Sequence, residues 1–166
     1  GNSGDFFVIL RAQNLGASVI YVTLMLVLLN VVYAVISVPA GLLSDKLGRR
    51  RVIAIGWLVC GLVYLGFALA TSLWQVWVLF AVYGLYHGVV EGVARAFVAD
   101  LVTEDKRGTA YGLYLGVEGL AVLPAGVIAG WLWQTFSPAV TFYFGAALAL
   151  LAAAGIVGLM SEGRAR

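Results

Sequence analysis

The chain has 166 residues, of which 63% are hydrophobic and 11% are charged, and its formal net charge is +2. A soluble domain of this size carries about 25% charged residues, so this composition excludes a water-soluble globular domain. The small net charge gives no indication of a nucleic-acid partner, and we expect an integral membrane protein whose main partner is the lipid bilayer.

Five apolar runs are long enough to cross a bilayer, which takes about 20 residues of helix. A shorter segment, Gly4 to Gln13, precedes them and is predicted to be the tail of a sixth helix. Strands are not predicted, because the runs do not alternate with a period of two and barrel strands have about half their length. The predicted fold is an all-α polytopic transmembrane helical bundle with these five spans: Val19 to Leu43, Val52 to Ala70, Leu73 to Ala99, Gly108 to Trp133 and Ala139 to Met160.

Helix-start signals precede three of the runs. Ser72 and Gln75 have the spacing of a capping box, and Ser137 with Pro138 forms a plausible N-cap and first-turn pair. The acidic Thr103-Glu104-Asp105 segment suits the start of the fourth run, since helix N-termini favour negative charge.

Basic residues predict the orientation of the helices. If each run crosses once, eight of the ten Lys and Arg residues lie on one face: Lys46, Arg49, Arg50, Arg51, Lys106, Arg107, Arg164 and Arg166. The positive-inside rule then places the connections 45–51 and 100–107 and the C-terminus in the cytoplasm, and only Arg11 is expected on the opposite side. An aromatic belt is expected near the outer interface, formed by Trp74, Trp77, Trp131 and Trp133.

Glycines recur at four-residue intervals on the third and fourth runs, at Gly84, Gly88, Gly92, Gly112, Gly116, Gly126 and Gly130. Small residues at this spacing allow close helix packing in lipid. They also allow helices to rock against each other, but we favour static packing, because that is what this spacing usually serves. Pro124 removes one backbone hydrogen bond from the fourth run and is expected to kink it.

A stripe of ionisable residues lies inside the third run. His87, Glu91 and Arg95 are spaced i, i+4, i+8 and so share one helix face, and Tyr83 extends it. The fourth run adds Glu118 and Tyr114, and the N-terminal segment adds Asn2, Asp5 and Arg11.

Two interpretations of the stripe compete. In the first, Glu91 and Arg95 neutralise each other within one helix while His87 donates to a carbonyl. In the second, which we favour because ionisable groups at membrane depth are costly and usually functional, these groups line a substrate or proton cavity. The residues assigned to that cavity are Asp5, Tyr83, His87, Glu91, Arg95, Tyr114 and Glu118.

The segment PAGLLSDKLGRRR, residues 39 to 51, connects the first two runs. Gly41 is expected to end a helix at a point of close packing, and Gly48 to form a tight turn. Asp45 can accept hydrogen bonds from a neighbouring helix N-terminus, and the arginines can pair with acids at helix ends such as Asp100. An ordinary positive-inside loop explains the arginines but not the Gly-x-x-x-Asp-x-x-Gly spacing.

This connection resembles the signature loop of the major facilitator superfamily, G-x-L-x-D-R/K-x-G-R-R/K-x-x-L/I, at Gly41, Leu43, Asp45, Lys46, Gly48, Arg49, Arg50 and Ile53. The segment ADLVTEDKRGTAYGL, residues 99 to 113, resembles the second half of the family's fold. The resemblance implies that residues 1–166 are the C-terminal six-helix half of such a transporter, from the end of helix 7 through helix 12. The first helix would then be truncated, and the missing N-terminal half would be a partner.

The resemblance also implies roles for the loop. The family's signature Asp helps to lock the cytoplasmic side when the transporter faces outward. Carried over, Asp45 would be the latch acid, unpaired in this chain, and Arg49 would be the partner of Asp100. The implied cytoplasmic gate motif is Gly41, Asp45, Lys46, Gly48, Arg49, Arg50, Asp100 and Arg107.

The expected function is secondary active transport of a small solute by alternating access, coupled to protons, in a bacterial inner (plasma) membrane. The residues do not identify the solute, and efflux of drugs or metabolites is suggested only by the breadth of the family. The alternative is a non-transporting structural or assembly subunit with a half-transporter fold, and a membrane enzyme comes third. One His and one Cys far apart do not form a metal site, and no phosphate-binding loop is present, so we expect no cofactor.

Overall fold

The computed structural model describes residues 3–162, so the predictions made for Asn2, Arg164 and Arg166 lie outside the described residues. Helices dominate this part of the chain, and no strand occurs in it. The elements are α1 (Ser3–Asn14), α2 (Val19–Leu47), α3 (Arg49–Leu69), α4 (Leu73–Asp100), a 3₁₀ turn (Glu104–Lys106), α5 (Arg107–Thr135) and α6 (Pro138–Glu162). From α2 to α6, all five long helices are long and apolar enough to cross a membrane, which confirms the predicted fold class.

The end of α2 differs from the prediction. The helix does not end near Gly41 but continues to Leu47, and α3 begins at Arg49 directly after Gly48. Gly48 has a φ of +91°, a backbone conformation that glycine adopts without steric cost. A Cβ added at Gly41 would meet nothing within 4 Å among the described residues. The expectation that Gly41 ends a helix at a close contact is therefore wrong, because only Gly48 breaks the helical backbone.

Two of the predicted helix starts have the expected hydrogen bonds. The Gln75 side-chain oxygen accepts the backbone N–H of Ser72 at 3.1 Å, which satisfies a donor before α4. The Ser137 hydroxyl accepts the backbone N–H of Val140 at 3.3 Å, at the start of α6. Each bond pairs a backbone donor that a helix start would otherwise leave without a partner.

The most extensive helix contacts join α3 to α6, α2 to α4, and α3 to α4. Their shared core is aromatic and aliphatic, with Phe67, Phe80 and Val76 fully buried. Phe67 also stacks on Phe142 of α6 at a ring-centroid distance of 5.4 Å. The core therefore lies among α2, α3, α4 and α6 together with the short α1, which contributes Phe7, Val8 and Ala12, and α5 packs at its side.

The outer helices expose apolar faces. No residue of α5 is buried among the described residues, and its exposed side chains include Leu113, Leu120 and Val127. Along α2, Val31, Val35 and Val38 are exposed in the same way. Exposed apolar surface on this scale requires lipid or another protein rather than water.

The predicted aromatic belt is only partly outward-facing. Trp74 and Trp131 are exposed, as residues at a membrane interface should be. Trp77 packs against the core instead, and Trp133 lies 5.7 Å from the Phe7 ring. Sequence position placed all four tryptophans near one end of the helices but could not determine which way each side chain points.

The glycine stripes also divide into two groups. A Cβ at Gly84 would collide with the backbone carbonyl of Leu29, and one at Gly88 would lie 3.0 Å from the Tyr33 carbonyl oxygen, both on α2. Gly92 and Gly116 meet nothing within 4 Å among the described residues. Only the first pair is therefore required for the close crossing of α2 and α4.

This difference predicts opposite effects of one substitution on the same helix. Gly84→Ala should destabilise the protein by about 1–3 kcal/mol, because the methyl group meets backbone that cannot move aside cheaply. Gly92→Ala is the matched control and should be neutral or slightly stabilising, since alanine favours helix. Thermal unfolding of the purified full-length protein in detergent measures both. Equal melting temperatures for the two variants would contradict the crossing geometry.

Candidate functional site

The candidate site is centred on His87 of α4, which is 6% exposed. Its Nδ1 lies 2.9 Å from Oε1 of Glu91, one turn further along α4. Its Nε2 lies 3.4 Å from Oδ1 of Asp5 on α1. A neutral imidazole can donate a hydrogen bond to only one of these carboxylates, whereas an imidazolium can donate to both. The number of carboxylates to which His87 can donate therefore depends on its protonation state.

Tyrosines extend this cluster to two more helices. The Tyr83 hydroxyl donates to Asp5 at 2.9 Å, and the Tyr64 hydroxyl of α3 lies 3.5 Å from it. The Tyr33 hydroxyl of α2 donates to Oε2 of Glu91 at 3.4 Å. Polar side chains from α1 and from three of the predicted spans, α2, α3 and α4, thus form one connected network.

Arg95 continues the network towards the end of α4. Its Nη2 lies 3.8 Å from Oε2 of Glu91, and its side chain is more than half exposed. The interpretation in which Glu91 and Arg95 merely neutralise each other does not describe this arrangement, because Glu91 is also bound by His87 and Tyr33. The predicted hydrogen bond from His87 to a carbonyl is replaced by contacts with two carboxylates.

On α5, Tyr114 and Glu118 face this network across two adjoining cavities of about 400 Å³ each. The first is lined by Asp5, Glu91, Arg95, Tyr114, Leu115, Glu118, Gly119 and Val122. The second includes Tyr83 and His87 in its lining. All seven residues assigned to a cavity from the sequence are therefore brought together around these two spaces.

The sequence did not single out several residues of the site. Tyr33 and Tyr64 take part in the polar network, and Trp57 and Tyr86 line the second cavity. Tyr33, Tyr64 and Trp57 sit in apolar runs without an ionisable neighbour in sequence, whereas Tyr86 directly precedes His87. The available signals were this adjacency and the seven-residue spacing of Trp57 and Tyr64, which places both on one face of α3.

A second cluster lies at the connection between α2 and α3. Arg49 forms an ion pair with Asp100 at the end of α4, and its Nη2 lies 3.4 Å from Oδ1 of Asp45. The expectation that Asp45 is unpaired in this chain is therefore wrong. The turn at Gly48 starts α3 so soon after α2 ends that Arg49 reaches back to Asp45.

The remaining gate residues are only partly brought together. Lys46 and Arg50 line the same cavity of about 970 Å³ as Asp45 and Arg49, and the Arg50 guanidinium lies 5.6 Å above the Phe97 ring. Arg107 instead pairs with Glu104 at 3.3 Å, within its own connection. Across residues 3–162, no group of three or more His, Cys, Asp or Glu side chains is arranged to hold a metal ion.

Arg11 connects α1 to the C-terminal end of α3, which is the end away from the Arg49 cluster. Its guanidinium donates to the carbonyl oxygens of Phe67 at 3.0 Å and Ala70 at 2.8 Å, which are acceptors at the helix end. A charged donor suits that position because the dipole of α3 is negative there. Arg11 therefore fixes the helix that carries Asp5.

Arg11→Met should lower the free energy of unfolding by about 1–3 kcal/mol, because two carbonyl groups lose a charged donor. Arg51→Met is the matched control, since Arg51 is exposed and its replacement should change stability by less than about 0.5 kcal/mol. Thermal unfolding of the full-length protein compares the two. An unfolding midpoint for Arg11→Met equal to that of the unmodified protein would rule out this anchoring role.

Comparisons with known proteins agree with this architecture. The sequence profile of the Major Facilitator Superfamily matches residues 5–164. The uncharacterized MFS-type transporter MJ1317 of Methanocaldococcus jannaschii is 43% identical over 156 residues, which cover 90% of this chain and 39% of that protein.

Two further relatives match smaller parts of the chain. The uncharacterized MFS-type transporter YqjV of Bacillus subtilis is 30% identical over 78% of this chain and 29% of its own length. The lysosomal dipeptide transporter MFSD1 of Bos taurus is 32% identical over 64% of this chain and 24% of its own length. The chain thus spans well under half the length of each of these relatives. With the profile match over residues 5–164, the helical architecture and the signature loop, the chain belongs to the Major Facilitator Superfamily of membrane transporters.

Proposed function

We propose that this chain is the C-terminal six-helix half of a secondary active transporter that moves a small solute by alternating access, driven by protons. The observation that carries this proposal is the network of Asp5, His87 and Glu91 within the membrane-spanning part of the bundle. Ionisable groups there are costly and usually serve a substrate or proton pathway. A static scaffold has no need for three titratable side chains on two helices.

The network supplies a proton-dependent contact between moving parts. His87 on α4 binds Asp5 on α1 and Glu91 on its own helix. Gaining or losing one proton changes the number of hydrogen bonds that His87 can donate to Asp5 and Glu91 together. A ligand shifts a conformational equilibrium only if it binds the two conformations with different affinities. If the proton on His87 is held more tightly in one position of α1 than in another, protonation changes the equilibrium between those positions.

The Arg49 cluster is proposed as the gate on the cytoplasmic side. Its ion pairs join the α2–α3 connection to the end of α4, so they must break or change partner if those helix ends separate. The basic connections give the sidedness through the positive-inside rule. Together the cavity and the gate supply the two elements that alternating access requires.

The apolar faces of α2 and α5 are proposed to contact the N-terminal half of the transporter. Both faces are exposed among the described residues, and the relatives named above are more than twice as long as the segments they share with this chain. Substrate would then lie between the halves, near the middle of the membrane.

Dipeptides are the first solutes to test, because two of the relatives are named lysosomal dipeptide transporters. The full-length protein is reconstituted in liposomes that enclose the pH-sensitive dye pyranine, and radiolabelled alanylalanine or lysylalanine is added outside. We expect solute uptake to depend on the pH gradient and to change the luminal pH. Uptake that ignores the gradient would contradict proton coupling, and a protein that moves no solute in a wider panel would favour the structural subunit.

A further inference from the structure

The second cavity of the site has an unusually aromatic wall. It lies among α1, α3, α4, α5 and α6 and has a volume of about 400 Å³. Tyr86 holds two neighbouring rings in place, stacking on Tyr83 at a centroid distance of 5.6 Å and meeting Trp57 edge-on at 5.8 Å. The aromatic residues that line the cavity are Trp57, Tyr64, Tyr83, Tyr86 and Tyr114.

The described lining of this cavity holds more acidic than basic groups. Two carboxylates, Glu91 and Glu118, line it, and no described Lys or Arg does, although Arg95 lines the adjoining cavity. His87 is the one basic side chain in this described lining, and it is already held between Asp5 and Glu91. The cavity is therefore suited to a positive ligand and unsuited to an anion.

Glu118 differs from Glu91 in its bonding, since its described neighbour Tyr114 interacts with it only through its electrostatic field. Glu91 is bound by His87, Tyr33 and Arg95, whereas no described side chain forms a hydrogen bond or ion pair with Glu118. A carboxylate inside a membrane span is costly without a counter-charge. Its position beside five aromatic rings provides both components of a cation site, a negative charge and π-electron faces.

We propose that this cavity binds the cationic group of an organic amine or ammonium, with Glu118 as the counter-ion and the aromatic wall around the apolar body. Transport of such a cation rests on the proposed function above, but its binding does not. The alternative assignment, a cavity for anionic solutes, would require a cationic side chain that is available to the ligand, whereas His87 is already bound by Asp5 and Glu91.

The test is calorimetric titration of the full-length protein in lipid nanodiscs with three probes of similar size. Benzyltrimethylammonium carries the positive charge, 2-phenylethanol is neutral, and 3-phenylpropionate is negative. We expect the cation to bind at least about tenfold more tightly than the neutral probe, a difference of about 1.4 kcal/mol, and the anion to bind most weakly. Equal affinities for the cation and the neutral probe would overturn the proposal.

Variants then locate the counter-charge. Glu118→Gln keeps the shape of the side chain and should weaken binding of benzyltrimethylammonium about tenfold, with little change for 2-phenylethanol. Glu104→Gln is the same chemical change in the exposed connection before α5 and should leave both affinities unaltered. Cation binding that is unchanged in Glu118→Gln would overturn the role of Glu118.

A flux assay separates this proposal from the proposed function. Binding of benzyltrimethylammonium without proton-coupled flux of any solute would support the cation site and overturn the transport function. Proton-coupled flux of alanylalanine with no cation binding would support the transport function and overturn the cation site.

Discussion

Glu91→Gln in the full-length protein is expected to reduce proton-driven solute flux by about 100-fold, towards the upper end of measured coupling between two ligands. Glu91 is the junction of the network, with His87, Tyr33 and Arg95 all bound to its two oxygens. Glutamine keeps the length of the side chain and one acceptor but cannot carry a proton or balance the charges of His87 and Arg95. Flux is measured in liposomes with an imposed pH gradient.

A loss of flux in Glu91→Gln must be distinguished from a loss of folding. Size-exclusion chromatography and thermal unfolding should show a protein that is still folded, because most of the side-chain volume is retained. Glu104→Gln is the matched control and should transport normally, since Glu104 lies in an exposed connection and Arg107 is its one ion-pair partner among residues 3–162. Normal gradient-driven flux in a folded Glu91→Gln protein would contradict the assignment of the network as the proton site.

Charge reversal at Arg49 is expected to have the second largest effect. Arg49→Glu places a third carboxylate between Asp45 and Asp100, where the arginine now binds both. Like charges in contact cost several kcal/mol when desolvated, but the partial exposure of both acids reduces this cost. We therefore expect a loss of about tenfold in flux, corresponding to about 1.4 kcal/mol in the gate equilibrium.

Two comparisons make the Arg49 result specific. Arg51→Glu changes the loop charge by the same amount at an exposed position and should lower flux by less than about twofold, as expected for a screened surface charge. Adding Asp100→Arg to Arg49→Glu restores one ion pair and should recover part of the flux, although Asp45 still faces the new carboxylate. Equal losses in Arg49→Glu and Arg51→Glu would show that total loop charge matters, not the gate pair.

The sequence predicted the parts of this account that depend on a single helix. The five spans follow from length and hydropathy, and the His87–Glu91–Arg95 stripe follows from helical spacing. Both depend on residue type and periodicity, which can be read without knowing how the helices are rotated. The contact between Arg49 of α3 and Asp100 of α4 joins two helices, and it was implied by the family loop rather than by periodicity.

Contacts between helices were harder to predict. The hydrogen bond from Tyr33 to Glu91 joins residues 58 positions apart, and an apolar run gives no sign of which tyrosine faces inward. Likewise, Gly84 and Gly116 occur in similar patterns, but only Gly84 meets another helix. Burial in lipid removes the usual contrast between polar and apolar faces, so rotation about the helix axis is poorly marked in the sequence.

The continuation of α2 past Gly41 has a related cause. Glycine in a helix interior is tolerated in membrane proteins, so Gly41 alone was not a stop signal. The positive φ at Gly48 is what separates α2 from α3. The expectation that Asp45 is unpaired had a different origin, the resemblance to the family loop, which did not imply the ion pair with Arg49 four residues further along.

The most direct test of the account is whether the cavity opens to each side of the membrane in turn. Ala121 lines the aromatic cavity, so Ala121→Cys is introduced into full-length protein with Cys60 and any other native cysteine replaced. A membrane-impermeant maleimide is then applied to right-side-out and inside-out vesicles. Alternating access predicts labelling from both sides, in proportions that a pH gradient shifts. Labelling from one side only under every gradient would contradict it.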